Sequence, residues 1–145
     1  MKKVICLAIL LVMSRVSFAM GEEITIVNHT THDISTKMVK HLCVSHPSRF
    51  KLNIPAGETR IAKTKLKKYC LDYPWYKISL RLSEAQDAPI GNMSVWFDDY
   101  YNPILEVKNY FNKALPNARF EITCNAKENR KILLVISEFV KTEGK

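Results

Sequence analysis

Apolar and polar residues alternate in short runs along most of this chain, and turn-forming residues separate the runs. Glu23 to Asn28 carries Ile24 and Ile26 on one face. Phe50, Leu52 and Ile54 alternate with Lys51 and Asn53, and Thr59 to Leu66 resumes the pattern after Pro55-Ala56-Gly57-Glu58. A period of two is the signature of a half-buried strand, and Pro with Gly marks a tight turn. These two runs therefore predict a hairpin. Tyr76 to Leu82 sends Ile78, Leu80 and Leu82 inward and Lys77, Ser79 and Arg81 outward. Ser83 to Asn92, with Pro89 and Gly91, reads as a loop. Met93, Val95 and Phe97 then alternate with Ser94, Trp96 and Asp98. Arg119 to Asn125 and Lys131 to Phe139 flank a polar turn and predict a final hairpin.

Two segments do not follow this period. Ile34 to Val44 fits a strand, but Met38, Val39 and Leu42 also fit one face of a helix. Asn102-Pro103 reads as a helix start, with Asn as the N-cap and Pro in the first turn. Ile104, Val107, Phe111 and Leu115 follow at helical spacing, and Pro116 stops the run. The pattern as a whole predicts a mainly β protein: an antiparallel β-sandwich or curved sheet with one short helix near 103–115.

The first nineteen residues stand apart. Lys2 and Lys3 precede an unbroken apolar run, Val4 to Met13, and Ser17-Phe18-Ala19 ends the segment with small residues three back and one back from a cut. This is the layout of a secretory signal peptide. The run is too short to cross a bilayer, which takes about 20 residues. Cys6 lies inside the run, not just after it, so it is not placed to carry a lipid. The expected organisation is a signal peptide, 1–19, and a single exported β-rich domain, 20–145, in the periplasm or released to the medium, with no transmembrane segment in the mature chain. The Met-Lys-Lys start has a bacterial character. Of 145 residues, losing those nineteen leaves 126, enough for one domain with a real core. The formal charge of +8 falls by Lys2, Lys3 and Arg15 to +5. Such a charge favours anionic partners, or it keeps the protein soluble.

Export also bears on the cysteines. Cys43, Cys70 and Cys124 remain after cleavage, and an oxidising compartment favours a disulfide. An odd number leaves one thiol over. Cys124 lies on the apolar side of an alternating strand, where a small buried thiol fits. Cys43 and Cys70 lie in polar or loop-like sequence, so Cys43–Cys70 is the expected bridge.

Three compositional biases offer chemistry. From Arg49 to Lys68 the cations Arg49, Lys51, Arg60, Lys63, Lys65, Lys67 and Lys68 face a single acid, Glu58. On a strand, Lys63, Lys65 and Lys67 point the same way. Such a row meets phosphates or sulfates, or it protects an edge strand from aggregation. Tyr69, Tyr73, Trp75 and Tyr76 follow directly, and Trp96 falls on the face opposite Met93, Val95 and Phe97. Exposed Trp and Tyr stack on sugars, sit at membrane interfaces or anchor protein partners. A covering helix would instead make Trp96 core. All four histidines, His29, His32, His41 and His46, fall in one segment, with Cys43 among them. Imidazole and thiolate suit Zn or Cu, but the spacing matches no established metal motif.

Catalytic motifs are absent: there is no Gly-x-Ser-x-Gly, no His-Glu-x-x-His and no phosphate-cradling glycine loop. The resulting expectation is a binding protein, not an enzyme, without a cofactor. It recognises an anionic lipid or glycan surface, or a protein partner, in the envelope or on a host cell. Lys63, Lys65, Lys67, Lys68, Tyr73, Trp75 and Trp96 form its face, and nucleic acid is not the expected partner. The alternatives are a His-rich metal-binding protein and a small secreted hydrolase.

Overall fold

The computed structural model describes residues 21–67, 70–84, 88–98, 102–110 and 115–141. The expected signal peptide, Lys68 and residues 111–114 lie outside them. Among these described residues nine strands form two sheets: β1 (Glu23–His29), β2 (Ile34–Leu42), β3 (Lys51–Ile54), β4 (Thr59–Lys63), β5 (Trp75–Leu82), β6 (Pro89–Phe97), β7 (Pro103–Asn109), β8 (Ala118–Lys127) and β9 (Lys131–Val140). One sheet has the order β4-β1-β9-β8 and the other β3-β2-β5-β6-β7. The β-sandwich expected from the alternation is the fold. Every pairing is antiparallel except β1 with β9, which run side by side in parallel.

The core lies between the sheets, where the period-two apolar residues meet. Ile24, Ile26, Ile122, Ile132, Leu134 and Ile136 come from one sheet, and Ile34, Tyr76, Ile78, Leu80, Met93 and Val95 from the other. Each large side chain fully buried there contributes about 1.5–3 kcal/mol. Cys124 is half-buried against this core, and burial pushes its thiol pKa up.

Three expectations are corrected, and one open reading is settled. Residues 103–109 are a strand, and the helix expected near 103–115 does not form there. Pro103, Leu105 and Val107 turn toward the core while Ile104, Glu106 and Lys108 face out. The β-branched residues favour this state, and Pro is tolerated at the first residue of an edge strand. Among the described residues the only helical turn is a 3₁₀ segment, Pro47–Arg49.

The predicted hairpin of residues 50–66 is also not one. β3 pairs with β2 and β4 with β1, so the turn between them crosses from one sheet to the other. Gly57 makes that turn at φ 73°, the left-handed region that glycine enters without strain. Asn28 pins the crossing: its buried amide donates to the carbonyls of His32, Ile54 and Pro55, and its Oδ1 accepts from the Thr30 backbone N–H and hydroxyl.

The expected loop of residues 83–92 is shorter, because β6 begins at Pro89. Gly91 lies within β6, where an added Cβ would come 2.3 Å from Ile122 Cδ1 and 2.4 Å from the Lys108 carbonyl oxygen. Finally, the ambiguous segment 34–44 is a strand with a bulge over Ile34–Leu42. The β2–β5 register shifts between Met38 and Lys40. Before the shift Ile34, Thr36 and Met38 turn inward; after it Lys40 and Leu42 turn outward.

Candidate binding face

The outer face of the five-stranded sheet brings together both tryptophans and six cationic side chains. Strand register fixes which residues share it, because directly paired residues point to the same side. At one end Leu42 pairs with Trp75, and Trp96 pairs with Ile104. The pairing of Tyr76 with Val95 carries on to place Trp75 opposite Trp96. An apolar row thus crosses four strands in the order Leu42, Trp75, Trp96, Ile104. Trp96 is 38% exposed and Ile104 53%, and Trp75 is half-buried between its neighbours. No described helix covers the row. These are the only two tryptophans in the chain.

The next row inward is Lys40, Lys77, Ser94 and Glu106. Beyond it come Lys51, Lys37, Ser79, Asn92 and Lys108, then Asn53, Ser35 and Arg81. The face therefore sets Lys37, Lys40, Lys51, Lys77, Arg81 and Lys108 against Glu106, which itself lies 3.8 Å from Lys108 Nζ. Ser79, Asn92 and Ser94 are short and buried among the longer side chains. The result is a hydroxyl and amide floor with a basic rim.

A disulfide joins Cys43 to Cys70, the pairing the sequence predicts, with 5.8 Å between their Cα atoms. It ties the residue after Leu42 to the loop that leads into Trp75. Leu71 and Tyr73 of that loop are exposed, Tyr73 by 62%. The aromatic row, Tyr73 and the bridge thus form one end of the molecule.

The lysines singled out in the sequence lie elsewhere. Lys63, Lys65 and Lys67 do alternate with buried Thr64 and Leu66. However, β4 belongs to the other sheet, and Lys63 Nζ lies 3.6 Å from Glu23 Oε2. Only at its far end does this segment approach the row, where the Lys67 N–H donates to the Cys43 carbonyl at 2.7 Å. The cations beside Trp75 and Trp96 are Lys40 and Lys77. Lys77 was visible as an outward residue of its strand; Lys40 was hidden by the bulge.

The histidines are separated. His32 precedes β2 and His41 nearly ends it, so about 25 Å of strand lies between them. His29 ends β1, and His46 precedes the 3₁₀ turn. Among the described residues no group of three or more His, Cys, Asp or Glu side chains is arranged to hold a metal. His32 instead lies against Glu138, with Nε2 3.4 Å from Oε1, and its ring meets Phe120 edge-on. Burial raises the pKa of Glu138, but hydrogen bonds from the Thr31 N–H and hydroxyl and the nearby His32 outweigh it and hold the carboxyl below its usual value.

A second carboxyl is buried at the opposite end. Glu22 Oε2 accepts from the Thr64 hydroxyl at 2.6 Å and from the Tyr76 phenol at 3.2 Å. Among the described residues Glu22 Oε1 has no hydrogen-bond partner. Burial raises the Glu22 pKa, with these hydrogen bonds opposing it, and burial and the Glu22 charge push the Tyr76 phenol well above its ordinary value.

This fold has solved counterparts. The chain is similar to the RahU protein, solved in complex with a TRIS molecule, at a TM-score of 0.61 and 8% identity over 86% of this chain and 99% of that one. It is also similar to IP-1A from Alcaligenes faecalis, at a TM-score of 0.58 and 11% identity over 88% of this chain and 96% of that one. At such identities the likeness is one of fold. No protein-family model and no curated protein sequence matches the chain.

Proposed function

We propose that this chain is an exported binding protein, not an enzyme, that docks on an anionic surface of lipid head groups or glycan through the outer face of its five-stranded sheet. The observation that carries the reading is the apolar row Leu42, Trp75, Trp96 and Ile104 lying directly beside Lys40 and Lys77. Four large apolar side chains contiguous in one row on a solvent face mark a contact surface. Lys40 and Lys77 stand opposite one another across β2 and β5. Like charges in that position are destabilising unless an anion comes between them. The aromatic rings give contact area, and the ammonium groups select a negative partner and speed its approach.

The two tryptophans supply the test. Their fluorescence reports on this row alone, so titration with phosphatidylglycerol vesicles, phosphatidylcholine vesicles and acidic glycans reads binding directly. The expected result is a blue shift with an anionic partner that weakens as salt rises, and that Lys40→Glu with Lys77→Glu abolishes. Binding that survives this double substitution, or the absence of any shift at low salt, refutes the reading.

A further inference from the structure

The same outer face holds a concavity away from the tryptophans. It has a volume of about 810 Å³ and is lined by β2, β3 and β5, chiefly through Lys37, Lys51, Arg81, Ser79, Ser35 and Asn53. Small-ligand sites span about 300–1,000 Å³, so it has room for a short oligosaccharide and not merely one ion. Its described lining has three cations and no carboxylate.

We infer that this pocket is a separate site for a sulfated oligosaccharide. The inference rests on the reading of this face as one that meets anions, and adds to it a discrete site and a ligand class. Three observations carry it. Lys37 pairs directly with Lys51 across β2 and β3, so two ammonium groups project side by side from neighbouring strands. One same-face position further along the strands, about 7 Å away, Arg81 adds a third positive charge. Beneath them the floor is hydroxyl and amide: Ser79 accepts from Arg81 Nε at 3.3 Å, and the Ser83 hydroxyl donates to Asn53 Oδ1 at 2.7 Å.

This chemistry favours a sugar over a lipid. A head-group site needs apolar neighbours that enter the bilayer, and Leu52 is the one large apolar residue of the described lining. The apolar row is four residues along the strand from the Lys37–Ser79 end of the lining and six from Arg81, about 13 to 20 Å. Hydroxyls and amides arrayed under a basic rim match a ligand that carries hydroxyls between its charges.

The test is calorimetric titration of the purified, oxidised protein with a defined sulfated tetrasaccharide, its desulfated counterpart, inorganic sulfate and phosphatidylglycerol vesicles. The sulfated tetrasaccharide is expected to bind at least tenfold more tightly than the desulfated one or sulfate. Lys37→Gln and Arg81→Gln should each weaken it at least tenfold, while Trp96→Ala and Lys63→Gln leave it unchanged. Lys37 is exposed, so Lys37→Gln folds, and Lys37→Arg should restore affinity. Equal loss in Lys63→Gln would reduce the effect to net charge and overturn the site. So would tetrasaccharide binding indifferent to Lys37 and Arg81, or vesicle binding that Lys37→Gln abolishes while no tetrasaccharide binds. Failure of the aromatic row appears separately, as vesicle and glycan titrations that never shift tryptophan fluorescence.

Discussion

The buried amide of Asn28 donates to the carbonyl of Ile54 at 2.9 Å, and so fastens the end of one sheet to the point where the chain enters it from the other. The same nitrogen serves the carbonyls of His32 and Pro55. In Asn28→Ala the Pro55 carbonyl keeps the Glu58 N–H and the His32 carbonyl keeps the Thr30 hydroxyl. The Ile54 carbonyl, however, loses the amide and the buried Thr30 N–H loses its Oδ1 acceptor, and each buried group so orphaned costs roughly 1–3 kcal/mol. Urea unfolding should show a loss of about 2 kcal/mol or more in Asn28→Ala, with the denaturant slope unchanged.

The bridge between Cys43 and Cys70 closes a loop across 27 positions. Loop-closure entropy of that length is worth about 3.5 kcal/mol. Replacing both cysteines by serine should lower stability by an amount of that order. It should also raise amide exchange in the segment from Leu71 to Tyr73, measured by hydrogen exchange.

Gly91 has no room for a side chain. An alanine Cβ there would lie inside contact distance of both the Lys108 carbonyl and Ile122. A backbone carbonyl cannot rotate away as a side-chain tip can. Gly91→Ala should therefore shift β7 relative to β6 and cost about 1–3 kcal/mol in thermal or chemical unfolding, as overpacking does.

Two carboxyls give the stability a pH dependence of opposite sign. Glu22 is held above its usual 4.5 by burial. It binds its proton more tightly folded than unfolded, so its contribution is full below 4.5 and is lost as pH rises through the folded value. Glu138 is held below 4.5, so its contribution is present above 4.5 and is lost as pH falls through its folded value. Between pH 4 and 7 the stability difference between Glu22→Gln and the parent should move in favour of the variant. Glu138→Gln should be most damaging near neutrality and least damaging in acid. Unfolding curves across that range check both.

Lys37 and Lys51 repel across their strands. Lys51→Glu replaces the repulsion with attraction and should stabilise the fold by a few tenths of a kcal/mol. If the basic pocket is a binding site, the same change lowers affinity for the sulfated tetrasaccharide. Calorimetric Tm and binding should then move in opposite directions.

Much of the sandwich was legible because burial on one face writes itself into the sequence at period two. Tyr76 to Leu82 and Lys131 to Phe139 show it plainly, and both are strands within a residue or so of those bounds. Alternation names a face, however, and not a partner. Nothing in Phe50–Leu66 says that its two halves pair with different sheets. At β7 the misleading residue was Ile104, an apolar side chain on the solvent face that broke the alternation and completed a helical spacing by coincidence. The binding face was obscured for a related reason. The bulge at Val39 changes which residues of β2 face outward, so Lys40 and Leu42 join Lys77 and Trp75 only when the register is known. The basic pocket is assembled from three strands far apart in sequence, and no local motif marks it.

The parallel pairing of β1 with β9 sets the order of events in folding. Glu23 finds Lys131 only after nearly the whole chain exists. Until then β1 has β4 on one side and an open row of backbone groups on the other, in what becomes the middle of a sheet. A growing chain can build hairpins such as β5–β6 early, but its four-stranded sheet waits for the final strand. Contacts so distant in sequence make for slow folding. Truncation before Lys131 would therefore do more than trim an edge: it would leave the central seam of that sheet unclosed.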